Sequence, residues 1–254
     1  MRPLSAPQLL SLWEYGLVQP PWQRALSLLA AALPDSPLEE LANLPLGQRD
    51  AYLLALRENL FGPRLTSLAA CPACGEQLEL SFSVADIQSG SLPGSDGKPA
   101  GEQDGLLTVS SDGYQVSFRL PNSLDLAEIA GLSEPEKARL YLLERCLISA
   151  EDKGAVCAAA DLPAPVTRLI AERMASADPQ GDVQIALTCP SCSHQWQVAF
   201  DPLSFLWVEI SAWSQRILRE VHLLAQAYGW RETDILALSP RRRQAYLQMV
   251  MGSS

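Results

Sequence analysis

Histidine is nearly missing from this chain: His194 and His222 are the two in 254 residues. That scarcity rules out a His-Glu-x-x-His metalloprotease helix, and no Gly-x-Ser-x-Gly elbow, phosphate-cradling loop or dinucleotide fingerprint is present. Positive charge is also short. Nineteen Lys and Arg face 29 Asp and Glu, a net charge of −10, which argues against a generic nucleic-acid binder. No apolar run reaches membrane-spanning length; the longest, near Ala25 to Leu33, is broken by Ser27 and ended by Pro34. The first residues carry one basic side chain, Arg2, and Gln8 and Glu14 interrupt their apolar positions. A secretory leader is therefore not expected, and the chain reads as cytoplasmic.

What is present is a repeated knuckle. Cys71-Pro72-Ala73-Cys74-Gly75 and Cys189-Pro190-Ser191-Cys192-Ser193 share the form Cys-Pro-x-Cys, and strand-like alternation follows each (Leu78, Leu80, Phe82; Trp196, Val198, Phe200). Two such pairs supply four thiolates, the ligand set of a closed structural zinc site, with Cys71, Cys74, Cys189 and Cys192 as ligands to Zn2+. Four thiolates leave no open position for catalysis. Gly75 suits the left-handed turn that a knuckle needs. A redox dithiol normally opens a helix after a strand, whereas strand patterns follow here. His194, two residues past Cys192, reads as a polar strand residue. Residues 75–188 lie between the knuckles, so a shared metal would tie distant parts of the chain together. The two remaining cysteines are Cys146, on an apolar helical face and read as a small core residue, and Cys157.

The expected fold is α+β, mainly helical, with a small antiparallel zinc-ribbon module built from the two knuckles. Residues 1–66 form a helical lobe, 67–201 the ribbon with a hairpin and helical insertion, and 202–254 a helical tail. Ser36-Pro37-Leu38-Glu39 and Ser133-Glu134-Pro135-Glu136 have the form of capping boxes, and Asp201-Pro202 and Ser239-Pro240 of helix starts. Leu140, Leu143 and Leu147 are spaced to face inward from a helix over 137–148. Alternation around Ser111-Asp112-Gly113 signals a hairpin. Gly90, Pro93, Gly94, Gly97, Pro99 and Gly101 mark 88–104 as a mobile loop.

The tail holds the candidate partner-binding residues Trp213, Tyr228, Trp230, Arg241, Arg242 and Arg243. Aromatic side chains make good interface anchors, although most serve the core. Three consecutive arginines could contact phosphates, but neighbours on a helix point about 100° apart and cannot all line one groove. Glu220 is the polar exception on a face carrying Trp213, Ile217, Val221 and Leu224. His222 reads as a half-buried structural histidine.

Several stretches together are similar to the T-even phage baseplate hub assembly chaperone family, whose relatives occur in gene clusters of contractile phage tails and phage-tail-like injection systems. They are Leu46-Gly47-Gln48-Arg49-Asp50 through Arg57, Phe61-Gly62-Pro63 running into the first knuckle, Phe118-Arg119-Leu120-Pro121-Asn122-Ser123-Leu124-Asp125, the second knuckle, and the tail from Glu220-Val221-His222 to Arg243. The resemblance implies a non-catalytic assembly chaperone or structural component that binds baseplate, hub, spike or tube proteins, in the cytoplasm or in the particle. It brings no catalytic residues. The alternative is a zinc-ribbon nucleic-acid-binding regulator; a thiol oxidoreductase is a third reading.

Overall fold

The computed structural model describes residues 1–88 and 105–252; the expected loop at 88–104 lies, from residue 89 on, outside the described residues. Four helices come first: α1 (Ala6–Gly16), α2 (Pro21–Ala32), α3 (Leu38–Asn43) and α4 (Leu46–Phe61). Proline starts several of these turns, because its fixed φ suits the first helical positions and its missing N–H costs nothing there. Leu26, Leu29, Leu53 and Leu56 meet in one core. That core is completed by Leu203, Leu206 and Ile210 of a long helix near the other end of the chain, α9 (Pro202–Tyr228). The expected lobe and tail thus share a single interior.

Each knuckle sits at the tip of its own antiparallel hairpin. β1 (Arg64–Ala70) pairs with β2 (Gln77–Ser83), which ends in a single helical turn, α5 (Val84–Ile87); β7 (Val183–Thr188) pairs with β8 (Gln195–Phe200), which runs into α9. The single ribbon expected from sequence is instead two separate two-stranded sheets. β1 went unread because Thr66, Ser67 and the small Ala69 and Ala70 hide its alternation.

Between the hairpins lies the insertion. β3 (Leu106–Ser111), β4 (Tyr114–Arg119), β5 (Leu147–Asp152) and the short β6 (Ala155–Val156) form a four-stranded antiparallel sheet in that order. The expected β3–β4 hairpin forms, and Asp112 and Gly113 both take positive φ (+52° and +90°), as the two-residue turn demands. α6 (Ser123–Ile129) and α7 (Pro135–Cys146) join β4 to β5, and α8 (Ala164–Ala177) packs Val166 and Ile170 against Leu107, Val109, Val116 and Phe118. α10 (Glu232–Ala237) and α11 (Pro240–Gly252) fold back on α9.

Three expectations need correcting. The helix over 137–148 stops at Cys146 and Leu147 opens β5, so Leu147 is a strand residue; Leu140 is exposed rather than inward. The sheet wins because Val116 and Ala150 gain a buried cross-strand position there. The Ser36 and Ser133 boxes do not form: Pro37 and Glu134 occupy the cap positions, leaving each serine one residue too early. His222 is exposed on α9. By contrast Asp201 caps α9 through the Leu203 N–H at 3.1 Å, and Ser239 Oγ accepts from Arg242 N–H at 3.3 Å in the first turn of α11. Cys146 is fully buried, and burial pushes its thiol up to about 11.

Candidate metal centre

The two knuckles build the same loop twice. In the first, the N–H of Cys71 donates to the carbonyl of Glu76 at 2.8 Å and that of Gly75 to the carbonyl of Cys71 at 2.9 Å. In the second, Cys189 donates to His194 and Ser193 to Cys189, both at 2.9 Å. Gly75 and Ser193 occupy the same place, with φ of +77° and +59°. Glycine takes that conformation freely; serine, with a Cβ, takes it against a steric cost.

The tips converge. Cys71 Sγ lies 3.7 Å from Cys192 Sγ, and Cys74 Sγ lies 3.5 Å from Cys189 Sγ. All four sulfurs are within 4.8 Å of one another, and none is in a disulfide. The contacts cross between knuckles, and all four groups come from one chain. The leading cysteine of each knuckle is buried and the trailing one exposed. The cluster is compatible with a metal site. His194 is not part of it; its ring stacks on Trp196 with centroids 5.9 Å apart.

Electrostatics at the cluster are uneven. Burial opposes ionisation of Cys71, but the amides of Cys74 and Ala73 aimed at its sulfur, with the Cys74 and Cys192 thiols, bring it down to about 7. The Glu76 amide favours the Cys74 thiolate, yet the surrounding Cys192 and Cys189 thiols push it up to about 12. At Cys192 the His194 amide pulls downward and is outweighed by burial and the Cys189 and Cys71 thiols, so its net shift is upward. Four thiols in so small a volume share protons rather than ionise together. A divalent cation reverses that balance, because thiolate is the form that ligates.

The hairpins are braced at their bases as well as their tips. Phe82 of β2 meets Phe200 of β8 edge to face at 5.8 Å, and Phe200 meets Phe205 of α9 at 5.4 Å. Beneath them Arg57 of α4 is bidentate to Glu209 of α9, with both bonds at 2.7 Å, and its third nitrogen donates to the carbonyl of Gly62, where β1 begins. Sequence reading missed this brace; its partners are 152 positions apart, and an arginine in a helix gives no sign of its partner. The insertion is also anchored on α4: Asp178, just after α8, accepts from the Gly47 N–H at 2.8 Å. A Cβ at Gly47 would lie 1.8 Å from that carboxylate, which explains glycine there. Burial pushes the Asp178 carboxyl up, against the Gly47 amide and Arg49. Within the insertion, the buried Asp125 accepts from Arg119 at 2.6 and 2.8 Å, from Arg145 at 2.8 Å and from the Asn122 N–H at 2.9 Å.

The tail residues divide. Arg243 is buried and bonds Glu220 at 3.1 Å and the Leu238 carbonyl at 2.7 Å, which accounts for the polar exception on the α9 face. Arg241 and Arg242 are exposed. Trp213 packs between the two helical cores. Tyr228 stacks on Trp230 at 4.7 Å, and Tyr246 meets both rings edge on. Among the described residues no helix is long and apolar enough to cross a membrane.

Comparison with curated proteins and with solved structures finds no match. A family model does match, over residues 25–207, which spans α2 to the start of α9 and takes in both knuckles and the whole insertion. With most of its length inside that match, this chain belongs to the T4 bacteriophage base plate protein family.

Proposed function

We propose that this protein is a non-catalytic assembly chaperone for the hub of a contractile-tail baseplate, held in shape by one structural Zn2+ on Cys71, Cys74, Cys189 and Cys192. Family membership supports a structural or assembly role in a phage baseplate. The observation that carries the finer reading is the closure of four sulfurs from two hairpins that residues 75–188 separate in sequence. A tetrahedral zinc with bonds of about 2.3 Å sets its sulfurs about 3.8 Å apart. The observed cross-knuckle distances of 3.7 and 3.5 Å fit that tetrahedron. Zinc would supply a closed, redox-inert tie, with the amides of Ala73 and Cys74 stabilising charge on Cys71.

The working surfaces then lie on the elements that the tie holds in place. Partners are other baseplate components: hub, spike or tube proteins. A nucleic-acid regulator is less well supported, because the arginine triplet does not present one basic face; Arg243 is turned inward to Glu220. Two measurements test the proposal. Metal analysis of purified protein should give about one zinc per chain, and a metal-free protein with reversibly oxidised knuckles would replace the tie with a redox site. Co-expression with the hub, spike and tube proteins of the same gene cluster should yield a complex; absence of any complex would refute the chaperone role.

A further inference from the structure

The two hairpins touch at their tips and bases but part in the middle. There, Ser67, Ala69 and Leu80 of the first face Ile185 and Val198 of the second across a cleft of about 580 Å³, with Val208 of α9 at its mouth. The small side chains Ser67 and Ala69 leave the gap, and most of its wall is hydrocarbon.

The register shows which strands border the opening. Ser67 is opposite Leu80, and Ile185 is opposite Val198, so these residues belong to the facing sides of the sheets. Successive strand residues point to opposite faces. Yet β1 contributes Thr66 and Leu68 to the cleft besides Ser67 and Ala69, and β8 contributes Ala199 besides Val198 and Phe200. Consecutive residues of β1 and β8, against alternate ones of β2 and a single one of β7, fit a cleft that runs along the outer edges of β1 and β8. β1 pairs only with β2, and β8 only with β7, so these edges carry unpaired backbone N–H and C=O groups among the described residues.

Edges that must stay unpaired are usually protected by charge, proline or a bulge. β8 (Gln-Trp-Gln-Val-Ala-Phe) has no charge or proline, β1 has none after Arg64, and neither pairing is broken by a bulge. Leu68 is 70% exposed at this edge and Val208 68%. Of the two lining carboxylates, Glu209 is neutralised by Arg57, which leaves the exposed Asp201 as the negative charge at the cleft, on a chain of net charge −10.

We infer that this cleft accepts an extended segment of another protein by strand addition to β1 or β8: a segment with alternating apolar side chains and a basic residue at its end. Main-chain hydrogen bonds supply the affinity, and the apolar walls read alternate side chains. The inference deepens the assembly reading by naming the surface a baseplate partner uses.

The test uses the full chain and a labelled, blocked nine-residue peptide in which valine and threonine alternate between terminal lysines. Fluorescence anisotropy should show binding that Leu68→Lys and Val198→Lys each weaken by at least about tenfold. Val156→Lys, at an 88% exposed position on β6, should leave binding unchanged. N-methylation of the peptide's valine amides should abolish it. No binding of the unmodified peptide, equal binding by the cleft variants, or equal binding of the methylated peptide overturns strand addition. A dimer that Leu68→Lys converts to monomer makes the occupant a second copy and also overturns it. Co-purification separates the two readings. If a hub, spike or tube protein binds wild type and the cleft variants equally, the assembly role stands and this surface falls. If the peptide binds but no baseplate protein does, the cleft stands and the assembly role falls. Both substituted positions are solvent-facing, and unchanged circular dichroism and zinc content confirm that the variants fold.

Discussion

The first knuckle and the second are near copies in backbone and unequal in composition. Both close with the same pair of hydrogen bonds, bury their leading cysteine and expose their trailing one. They differ at the turn, where Gly75 stands in one and Ser193 in the other. They differ too in the element that each hairpin leads into: a four-residue helix for the first and a 27-residue helix for the second. The same loop geometry is thus reached from a relaxed turn and from a strained one. The second hairpin is also the better anchored, since its last strand continues directly into the helix at the heart of the core.

The largest expected effect asks whether the two knuckles share a fate. Cys74→Ser and Cys192→Ser should each abolish stoichiometric zinc and destabilise the protein by several kcal/mol, because metal that binds only the folded chain contributes its binding energy to folding. Equal losses in thermal unfolding, and loss of the stabilisation that wild type forfeits to a chelator, would confirm one shared site. A variant that kept half the metal would show two independent sites.

Next comes the brace at the bases. Arg57→Ala should cost about 3 kcal/mol, measured by denaturant unfolding, since it strands Glu209 without its partner. The low end of the range for buried pairs applies because the Glu209 side chain is 26% exposed. Retained zinc in this variant would show that tips and bases hold independently.

The turn residues test the comparison directly. Gly75→Ala should destabilise by about 1–2 kcal/mol, and Ser193→Gly should stabilise by up to about 1 kcal/mol, with zinc stoichiometry unchanged in both. Equal responses to the two exchanges would mean that the knuckles are not strained unequally.

The smallest effects concern how each hairpin ends. Asp201→Ala removes the cap of α9 and should cost about 1 kcal/mol, while Asp201→Asn keeps the acceptor and should cost less. Asp86→Asn, in the short turn after the first hairpin, should show itself only in pH dependence. The Ser83 amide holds the Asp86 carboxyl below its ordinary value, so ionisation is favoured in the folded state. Its contribution is fully present above the unfolded carboxylate range near 3.9 and is lost as pH falls through the lower folded value. The variant should therefore have a shallower acid limb in a pH series of unfolding midpoints.

Much of the cysteine cluster was legible because a paired-cysteine knuckle is written locally. The Cys-Pro-x-Cys spacing, the need for positive φ after the second cysteine, and the strand pattern beyond it are all short-range features. The Asp112-Gly113 hairpin and the Asp201-Pro202 helix start were readable for the same reason. Where reading failed, a distant partner had decided the outcome. β1 exists because β2 pairs with it, and Leu147 leaves a helical pattern because β4 offers it a sheet. Arg243 abandons an apparent basic cluster because Glu220 waits on another helix.

By itself, then, the sequence determined the two paired-cysteine knuckles, the conformation of each knuckle and the helix starts at Asp201-Pro202 and Ser239-Pro240, since these depend on neighbours within a few residues. The tertiary structure alone decided that the knuckles meet within one chain, that they crown two hairpins rather than one ribbon, and that the first helices and the last long one share a core. Those outcomes depend on which apolar surfaces are buried against each other across long stretches of chain, and spacing along the sequence does not encode that choice.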